Sequence, residues 1–229
     1  MKVLAFDTET TGLPLWSKSS SDPGQPHIVQ FAAVMWNDET DEELRFVDVL
    51  VRPDCWTIPP EMTAIHGISN EKASELGHPE GNVIACFVKL ASEADRLVAY
   101  NVSFDLRIAR IALMRAGYAE AAVGALSDLW NQKKQCAMLM ASPLCKMPPT
   151  DRMMASGRKT FKNPTLTDAV QIILGETIQG AHDAAVDVMW TKRLWQHMTR
   201  PKPNDLLHYQ LSGMDELPVE LRAISEIAQ

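Results

Sequence analysis

The chain has 229 residues, of which 46% are hydrophobic and 22% are charged, a composition typical of a soluble globular protein with one large domain or one domain plus an appendage. Its formal net charge of −7 argues against a protein that coats nucleic acid through bulk electrostatic attraction. The sequence has no long apolar run and no cysteines at metal-ligand spacing, so we expect a reduced, cytoplasmic protein with no membrane partner.

The first predicted strand ends in two carboxylates. Residues 3–6 form a short apolar run typical of a buried strand, and Asp7 and Glu9 follow it. Side chains two positions apart on a strand point to the same face, so both carboxylates can reach one point. Like charges held together resist ionisation, and a hard divalent cation, Mg²⁺ or Mn²⁺, would relieve that repulsion. Alternatively, Asp7 only ends the strand and Glu9 is a solvated turn residue.

The segment after this strand offers groups that could hold a phosphate or a ribose. Thr10 and Thr11 carry hydroxyls, and the glycine that follows them leaves backbone N–H groups accessible. Residues 14–27 form a predicted surface loop, rich in Ser, Pro and Gly, that is long enough to be a lid or one edge of a substrate site. Residues 28–36 and 44–51 follow as strands of an antiparallel hairpin, which argues against a purely parallel sheet.

Helical patterns and one further strand occupy the rest of the chain. Residues 97–100 are predicted to be a strand, and Ser103 is predicted to cap the helix that follows it. Residues 127–163 are predicted to be irregular, and the basic stretch 131–163 within them fits either a solvated loop or a phosphate-facing patch. The predicted helices are one that starts at Pro60 and stops at Gly67, followed by 82–94, 103–116, 164–174 and 181–198.

A second acidic motif opens the helix after strand 97–100. Asn101 ends the strand, and Phe104 and Asp105 lie in the first turn of the helix. Open α/β sheets bind ligands at the carboxyl ends of their strands, so we expect Asp105 at the same sheet edge as Asp7 and Glu9. The alternative is purely structural, because the helix dipole favours an acid in the first turn.

A third motif starts the last long helix. If His182 lies just before that helix and Asp187 lies one turn into it, both side chains can face one site. Asp183 is predicted only to be an acid at the helix start. A single histidine is often structural, but an acid at position 187 on an apolar helix face needs a partner.

These motifs together supply four carboxylates and one titratable base. Such a set suits two-metal phosphoryl transfer, in which the cations lie ~3.5–4 Å apart. A histidine that titrates near neutral pH is suited to deprotonating the attacking water. The carboxylates are Asp7, Glu9, Asp105 and Asp187, and the base is His182.

The chain resembles the DEDDh (DnaQ-like) 3′–5′ exonuclease family, which includes the proofreading exonuclease subunit of bacterial DNA polymerase III. The family motif D-x-E-T-T-G is matched by residues 7–12, N-x-x-F-D by residues 101–105, and H-x-A-x-x-D by residues 182–187. The sequence His66-Gly67-Ile68 after the hairpin is a further family feature. The resemblance covers residues 1 to about 200.

The resemblance implies an α/β ribonuclease H-like fold, with a five-stranded mixed sheet flanked by helices and the first three strands antiparallel. It implies that Asp7, Glu9 and Asp187 ligate one of two divalent metal ions, Mg²⁺ or Mn²⁺. Asp7 would bridge to the second ion, with Asp105 in support, and His182 would be the general base. The implied substrate-binding residues, at the 3′-terminal nucleotide, are Thr10, Thr11, Leu13, Ile65, His66, Asn101 and Phe104.

The implied activity releases nucleoside 5′-monophosphates one at a time from the 3′ end of a single strand, with DNA favoured over RNA. Exoribonuclease activity and a non-catalytic, polymerase-associated binding module are the alternatives. A phosphatase with Asp7 as covalent nucleophile is disfavoured by Glu9 and by the pair His182 and Asp187.

The C-terminal end is predicted to be separate from the exonuclease domain. We expect that domain to span residues 1–200 and the tail 201–229 to carry a short amphipathic helix. This helix could pack on the core, or bind a partner or a second copy of the chain. A DNA polymerase is one candidate partner of the protein. Residues 210–214 resemble the short Gln-Leu peptides that bind bacterial sliding clamps, which makes a clamp a further candidate partner.

Overall fold

A computed structural model describes residues 1–200 of the chain, and in them five strands form one mixed sheet. The sheet order is β3-β2-β1-β4-β5, with β1 antiparallel to β2, β2 antiparallel to β3, and β4 parallel to both β1 and β5. The predicted mixed sheet and antiparallel hairpin are therefore confirmed. The strands are β1 (Lys2–Thr10), β2 (Ile28–Asn37), β3 (Glu43–Leu50), β4 (Arg96–Ala99) and β5 (Lys134–Cys136).

Helices connect and cover these strands. None of them in residues 1–200 is long and apolar enough to cross a membrane. The helices are α1 (Pro60–His66), α2 (Asn70–Leu76), α3 (Glu80–Glu93), α4 (Val102–Arg115), α5 (Glu120–Lys133), α6 (Ala137–Cys145), α7 (Asp151–Ala155), α8 (Leu166–Ala169), which continues into a π-helical turn (Val170–Leu174), and α9 (Ala184–Thr199).

The central strand β1 is buried on both faces, which explains its uninterrupted apolar sequence. Leu4 and Phe6 point into a core shared with α3, α4 and α5. Val3 and Ala5 point to the opposite face, into a second core that includes Val188 of α9. The sheet therefore lies between two helical layers, and the residues at the end of β1 lie between α4 and α9.

Several predicted elements are wrong in the region between the second hairpin strand and α8. Residues 127–163 are not irregular, because they contain the second half of α5, then β5, α6 and α7. The buried face of α5 is formed by Val123, Ser127 and Trp130. Because the middle residue of this face is polar, the sequence shows no clear helical period of apolar residues here. The helix α2 was also not predicted. Ser103 is not the cap of α4, because that helix starts one residue earlier and has no side-chain cap.

The chain divides into two units, Met1–Trp195 and Gln196–Gln229. The first contains the sheet, and of the second the structure describes only the last residues of α9 and Arg200. The predicted amphipathic helix in 201–229 and the clamp-binding peptide at 210–214 lie outside the described residues.

The loop 14–27 is anchored to the domain at two places. Arg107 of α4 donates hydrogen bonds to the Lys18 carbonyl and to Ser20 Oγ. At the other end, Glu80 accepts from the Ile28 N–H at 3.0 Å and pairs with His27 Nδ1 at 3.2 Å and with Arg115 Nη1 at 3.1 Å. These contacts join the end of the loop to α3, α4 and β2.

Replacing Glu80 by Gln should lower the free energy of unfolding at pH 7 by about 1–3 kcal/mol, since the carboxylate accepts several charge-assisted hydrogen bonds. Burial alone would raise the pKa of Glu80, but the His27 hydrogen bond, the Arg115 charge and the Ile28 N–H outweigh it and hold the pKa below its ordinary 4.5. An acid with a lowered folded-state pKa stabilises the fold above its unfolded pKa and loses that contribution as the pH falls through the folded value.

The measurement is urea denaturation of both proteins between pH 7 and pH 3. The difference in unfolding free energy should shrink as the pH falls below about 4.5. Glu93→Gln, an exposed change on the same helix, should stay within about 0.5 kcal/mol of the unmodified chain. A difference for Glu80→Gln that stays constant over the whole pH range would contradict the assignment.

Candidate active site

Two carboxylates project from the carboxyl end of β1. Asp7 and Glu9 are both partly buried and lie on the strand face that α9 covers. Burial raises the pKa of Asp7 well above its ordinary value, and the charges of Asp105, Asp187 and Glu9 raise it further. The carboxylates predicted from three separate motifs therefore lie close together at one sheet edge.

Asp105 reaches this edge from the other side of the sheet. It lies in the first turn of α4, is only 3% exposed, and accepts a hydrogen bond from Thr8 Oγ1 at 2.8 Å. Burial raises the pKa of Asp105 to about 7, although the Thr8 hydrogen bond opposes the shift. Thr8 was not predicted as a site residue. Because side chains alternate along a strand, its position between Asp7 and Glu9 places it on the opposite face of β1, the face on which Asp105 lies.

His182 and Asp187 lie where the third motif predicted them, before and inside the first turns of α9. The His182 backbone adopts a left-handed conformation with φ 67°, and its N–H donates to Asp187 Oδ2 at 3.3 Å. One ligand atom from each of Glu9, His182 and Asp187 lies within 4.8 Å of the other two. The ring of His182 is exposed, whereas Asp187 is partly buried.

Gln30 and Asp183 hold the start of α9 against the sheet. Asp183 Oδ1 accepts from the Ala185 N–H at 2.9 Å and from Gln30 Nε2 at 3.1 Å, which confirms Asp183 as a helix-start acid. Gln30 Oε1 accepts from the Ala184 N–H at 3.1 Å. Gln30 is 5% exposed and pairs with Glu9 in the sheet register, so this link lies directly beside the carboxylates. Gln30 was missed, although a glutamine inside an apolar strand is a signal, since buried polar groups need partners.

Asp183 also adds a fifth negative charge to the site. Burial raises the pKa of Glu9 to about 8, and the charges of Asp187, Asp105 and Asp183 contribute in that order. Burial likewise raises the pKa of Asp187, while the His182 N–H and the His182 charge oppose the shift. The site thus holds more negative charge than its own cationic groups compensate.

The two threonines after β1 order the adjoining loop. Thr10 is 6% exposed and its Oγ1 donates to the Gly12 carbonyl at 2.8 Å. Thr11 Oγ1 accepts from the His27 N–H at 2.9 Å. Both hydroxyls are therefore already engaged with the chain, and their predicted contact with a nucleotide stays a prediction.

Of the other predicted substrate-binding residues, Leu13 and Ile65 are 79% and 49% exposed. Phe104 packs partly against the core, and Asn101, directly before α4, is exposed and makes no capping hydrogen bond. Leu13, Ile65 and Asn101 are thus accessible at the surface, and their predicted contact with a nucleotide stays a prediction.

His66 is buried near His182. Its Nδ1 accepts from the Ile68 N–H at 3.1 Å, and its Nε2 has no hydrogen-bond partner among the described residues. Burial lowers the pKa of His66, and the charge of His182 lowers it further, so the two rings lie near each other. A neutral His66 with Nδ1 as acceptor carries its proton on Nε2, which is a buried donor without a hydrogen-bond partner among the described residues.

The donor set fits a hard divalent cation. Mg²⁺ and Mn²⁺ prefer carboxylate oxygens, and the four predicted carboxylates of this edge all have raised pKa values. Asp187 Oδ1 is buried and has no hydrogen-bond partner among the described residues, as expected of a metal ligand without its metal. The residues that could hold a cation are Asp7, Glu9, Asp105 and Asp187.

Comparison with solved structures gives matches to exonuclease I. Escherichia coli exonuclease I in complex with a dT13 oligonucleotide matches with a TM-score of 0.66 and 21% sequence identity, over 91% of this chain and 43% of that one. Exonuclease I from Methylocaldum szegediense matches with a TM-score of 0.64 and 22% identity, over 92% of this chain and 43% of that one. The chain thus spans less than half the length of these proteins, and at this identity the likeness establishes the shared fold.

Comparison of sequences gives the family. No curated protein matches the chain significantly. The family model RNase_T, described as Exonuclease, matches residues 4–195, which include all of α4 and most of β1 and α9. Because this match covers most of the chain and the fold agrees, the chain belongs to the DnaQ-like DEDDh exonuclease family.

Proposed function

We propose that the chain is a metal-dependent 3′–5′ exonuclease that releases nucleoside 5′-monophosphates from the 3′ end of single-stranded DNA. The observation that carries the proposal is the convergence of Asp7, Glu9, Asp105 and Asp187 beside the exposed ring of His182. These carboxylates come from β1, α4 and α9, so three separate elements supply one site.

Two divalent cations bound by these carboxylates would supply Lewis-acid activation and would neutralise the charge at the scissile phosphate. Asp7, Glu9 and Asp187 would hold one of them, and Asp7 with Asp105 the other. The packing around β1, α4 and α9 holds the carboxylates close together despite their mutual repulsion, so the ligand groups are already in place for the cations.

His182 is the proposed general base. Its exposed ring is next to Glu9 and Asp187, where it can take the proton from a water that attacks the terminal phosphorus. The new bond joins the water oxygen to phosphorus, and the bond to the 3′ oxygen of the preceding nucleotide breaks. That oxygen takes a proton from solvent, which leaves a 3′ hydroxyl on the strand and a 5′-monophosphate as product.

The surrounding residues favour a chain end as substrate. Leu13 and Ile65 expose apolar side chains that can contact the terminal base. Exonuclease I, which shares the fold, was solved with the single-stranded oligonucleotides dT13 and dA16, and this supports DNA as the substrate here. Nothing in the described residues marks a contact to a ribose 2′ hydroxyl, which is what RNA selection requires.

Removing the proposed base should abolish most of the activity. Incubated with Mg²⁺ or Mn²⁺, the chain should shorten 5′-labelled single-stranded DNA from its 3′ end, and His182→Ala should lower kcat by about 10²–10⁴-fold. The measurement is a product ladder on a denaturing gel, run with matched DNA and RNA strands and with EDTA. His197→Ala, which removes an exposed histidine from the same helix α9, is the control and should keep the activity.

Each other result has a distinct meaning. Faster shortening of the RNA strand would replace the proposed substrate by RNA. An inactive but folded chain would favour the non-catalytic binding module, and a His182→Ala variant as active as the unmodified chain would remove His182 from the mechanism.

Asp7→Asn should stabilise the metal-free chain by about 0.5–2 kcal/mol, because a neutral amide removes one charge from the repelling cluster. Added Mn²⁺ should raise the Tm of the unmodified chain through binding to the folded state, and should raise that of Asp7→Asn much less. Thermal melts at pH 8 in EDTA and in Mn²⁺ test both effects.

The exposed change Asp128→Asn on α5 serves as the charge-matched control and should alter neither melt. An Asp7→Asn variant that is less stable than the unmodified chain in EDTA would show that Asp7 is held by favourable contacts instead of being crowded by like charge.

A further inference from the structure

A stripe of polar and basic side chains runs along α4 on a different face from Asp105. Ser103, Arg107 and Arg110 are spaced four and three residues apart, which puts them on one side of a helix. All three line a cavity of about 210 Å³. Trp16 of the loop 14–27 lines the same cavity.

The two arginines form no ion pair with any residue from 1 to 200. Arg107 donates to Ser20 and to the Lys18 carbonyl, both uncharged acceptors, whereas Arg110 forms no hydrogen bond or ion pair with any residue from 1 to 200. The Nε atoms of both are buried without a hydrogen-bond partner in that part of the chain. Burial lowers the pKa of Arg107, and the charge of Arg110 lowers it further, so the two guanidinium groups are close.

One acidic side chain, Glu120, lines a cavity beside the two arginines. This second cavity has a volume of about 150 Å³, and both arginines line it too. Within the described residues Glu120 forms an ion pair with neither of them. Lys134 adds a further cation to the wall of the first cavity. Burying a cation without a counter-charge costs free energy, so we expect an anion to bind in the first cavity.

An aromatic side chain beside these cations favours a nucleotide over other anions as the ligand of the cavity. Trp16 is 60% exposed and is one of the residues that line the cavity. Stacking of bases on aromatic rings next to a basic groove is the general way in which proteins bind single-stranded nucleic acid. An inorganic phosphate or a carboxylate of an acidic peptide would use the arginines and leave the indole without a role.

The cavity and the proposed chemistry lie on opposite sides of one helix. Arg107 follows Asp105 by two residues, which is about 3 Å along the axis of α4 and about 200° around a helix that is about 10–12 Å wide with its side chains. Trp16 follows Leu13, a predicted contact of the terminal nucleotide, by three residues. A strand whose 3′ end lies at the carboxylates can therefore reach the cavity with a nucleotide near that end.

We propose that this cavity binds a nucleotide on the 5′ side of the scissile bond, with its phosphate on Arg110 and Arg107 and its base on Trp16. The proposal rests on the proposed function, because it assigns part of the path of the same single-stranded substrate. It makes Arg110 and Trp16 binding residues for a strand and not for the terminal nucleotide alone.

The test compares a long and a minimal substrate on the full chain with Mn²⁺. The long substrate is dT12, and the minimal one is the p-nitrophenyl ester of thymidine 5′-monophosphate, which has a single phosphodiester and no upstream nucleotide. The ratio of the KM for dT12 to the KM for the ester should rise about tenfold in Arg110→Gln and in Trp16→Ala. The exposed Arg45→Gln on β3 removes the same charge elsewhere and should leave the ratio unchanged.

The salt dependence of the KM for dT12 distinguishes the loss of a phosphate contact from a change in the shape of the cavity. In Arg110→Gln the slope of log KM for dT12 against log salt should fall by about 0.7, the value for one phosphate contact on a single strand. Arg110→Lys keeps the charge and should keep the slope. Fluorescence anisotropy of labelled dT12 in EDTA gives the same comparisons without turnover, so the inference is tested even if neither substrate is hydrolysed.

An unchanged ratio with an unchanged dT12 affinity in Arg110→Gln and Trp16→Ala would overturn this inference and leave the proposed function standing. Equal effects on dT12 and on the ester would overturn it too, because Arg110 would then act on the terminal nucleotide or on the fold. If thymidine monophosphate inhibits ester hydrolysis of the unmodified chain but not of Arg110→Gln, the cavity binds free nucleotide and the assignment to the strand is wrong.

Discussion

Mutual repulsion among carboxylates is the constraint around which this structure is organised. Burial and neighbouring negative charges raise the pKa of Asp7 and of Glu9, and the charges responsible come from both β1 and the helices that flank it. Such a cluster persists only if the surrounding fold is rigid enough to resist it. The central position of β1, buried on both faces by apolar packing, meets that requirement.

The hydrogen bonds around the site also help to hold the carboxylates in place. Thr8 holds Asp105 on one side of the sheet, and Gln30 ties the first turn of α9 to β2 on the other. Neither residue is a carboxylate of the site, yet each fixes an element that carries one. The left-handed backbone of His182 and its N–H bond to Asp187 add a local constraint, since a non-glycine residue adopts this conformation only where its surroundings impose it.

Local patterns predicted the parts of the molecule that local physics determines. The hairpin, the position of Asp105 in a first helical turn, and His182 just before a helix follow from period, turn residues and spacing. The helix α5 was missed because the polar residue Ser127 interrupts its buried apolar stripe. The Ser127 hydroxyl donates a hydrogen bond to the Val123 carbonyl, which allows this side chain to lie in the core. Thr8, Gln30 and the pair of Arg107 and Arg110 were not predicted, since their roles depend on partners far away in the chain or on a cavity formed between elements.

The anchoring of the loop 14–27 bears on how a substrate gains access. Gln25 is 2% exposed and forms hydrogen bonds across the loop to Leu15 and Ser19, while Arg107 holds the middle of the loop and Glu80 its C-terminal end. Backbone amides in such a segment exchange with solvent only when several contacts break together, as in the sub-global openings seen by hydrogen exchange. Opening of this edge therefore requires slow, cooperative events and not only the nanosecond motions of a free surface loop, so the proposed single-stranded substrate would meet a rim that is already formed.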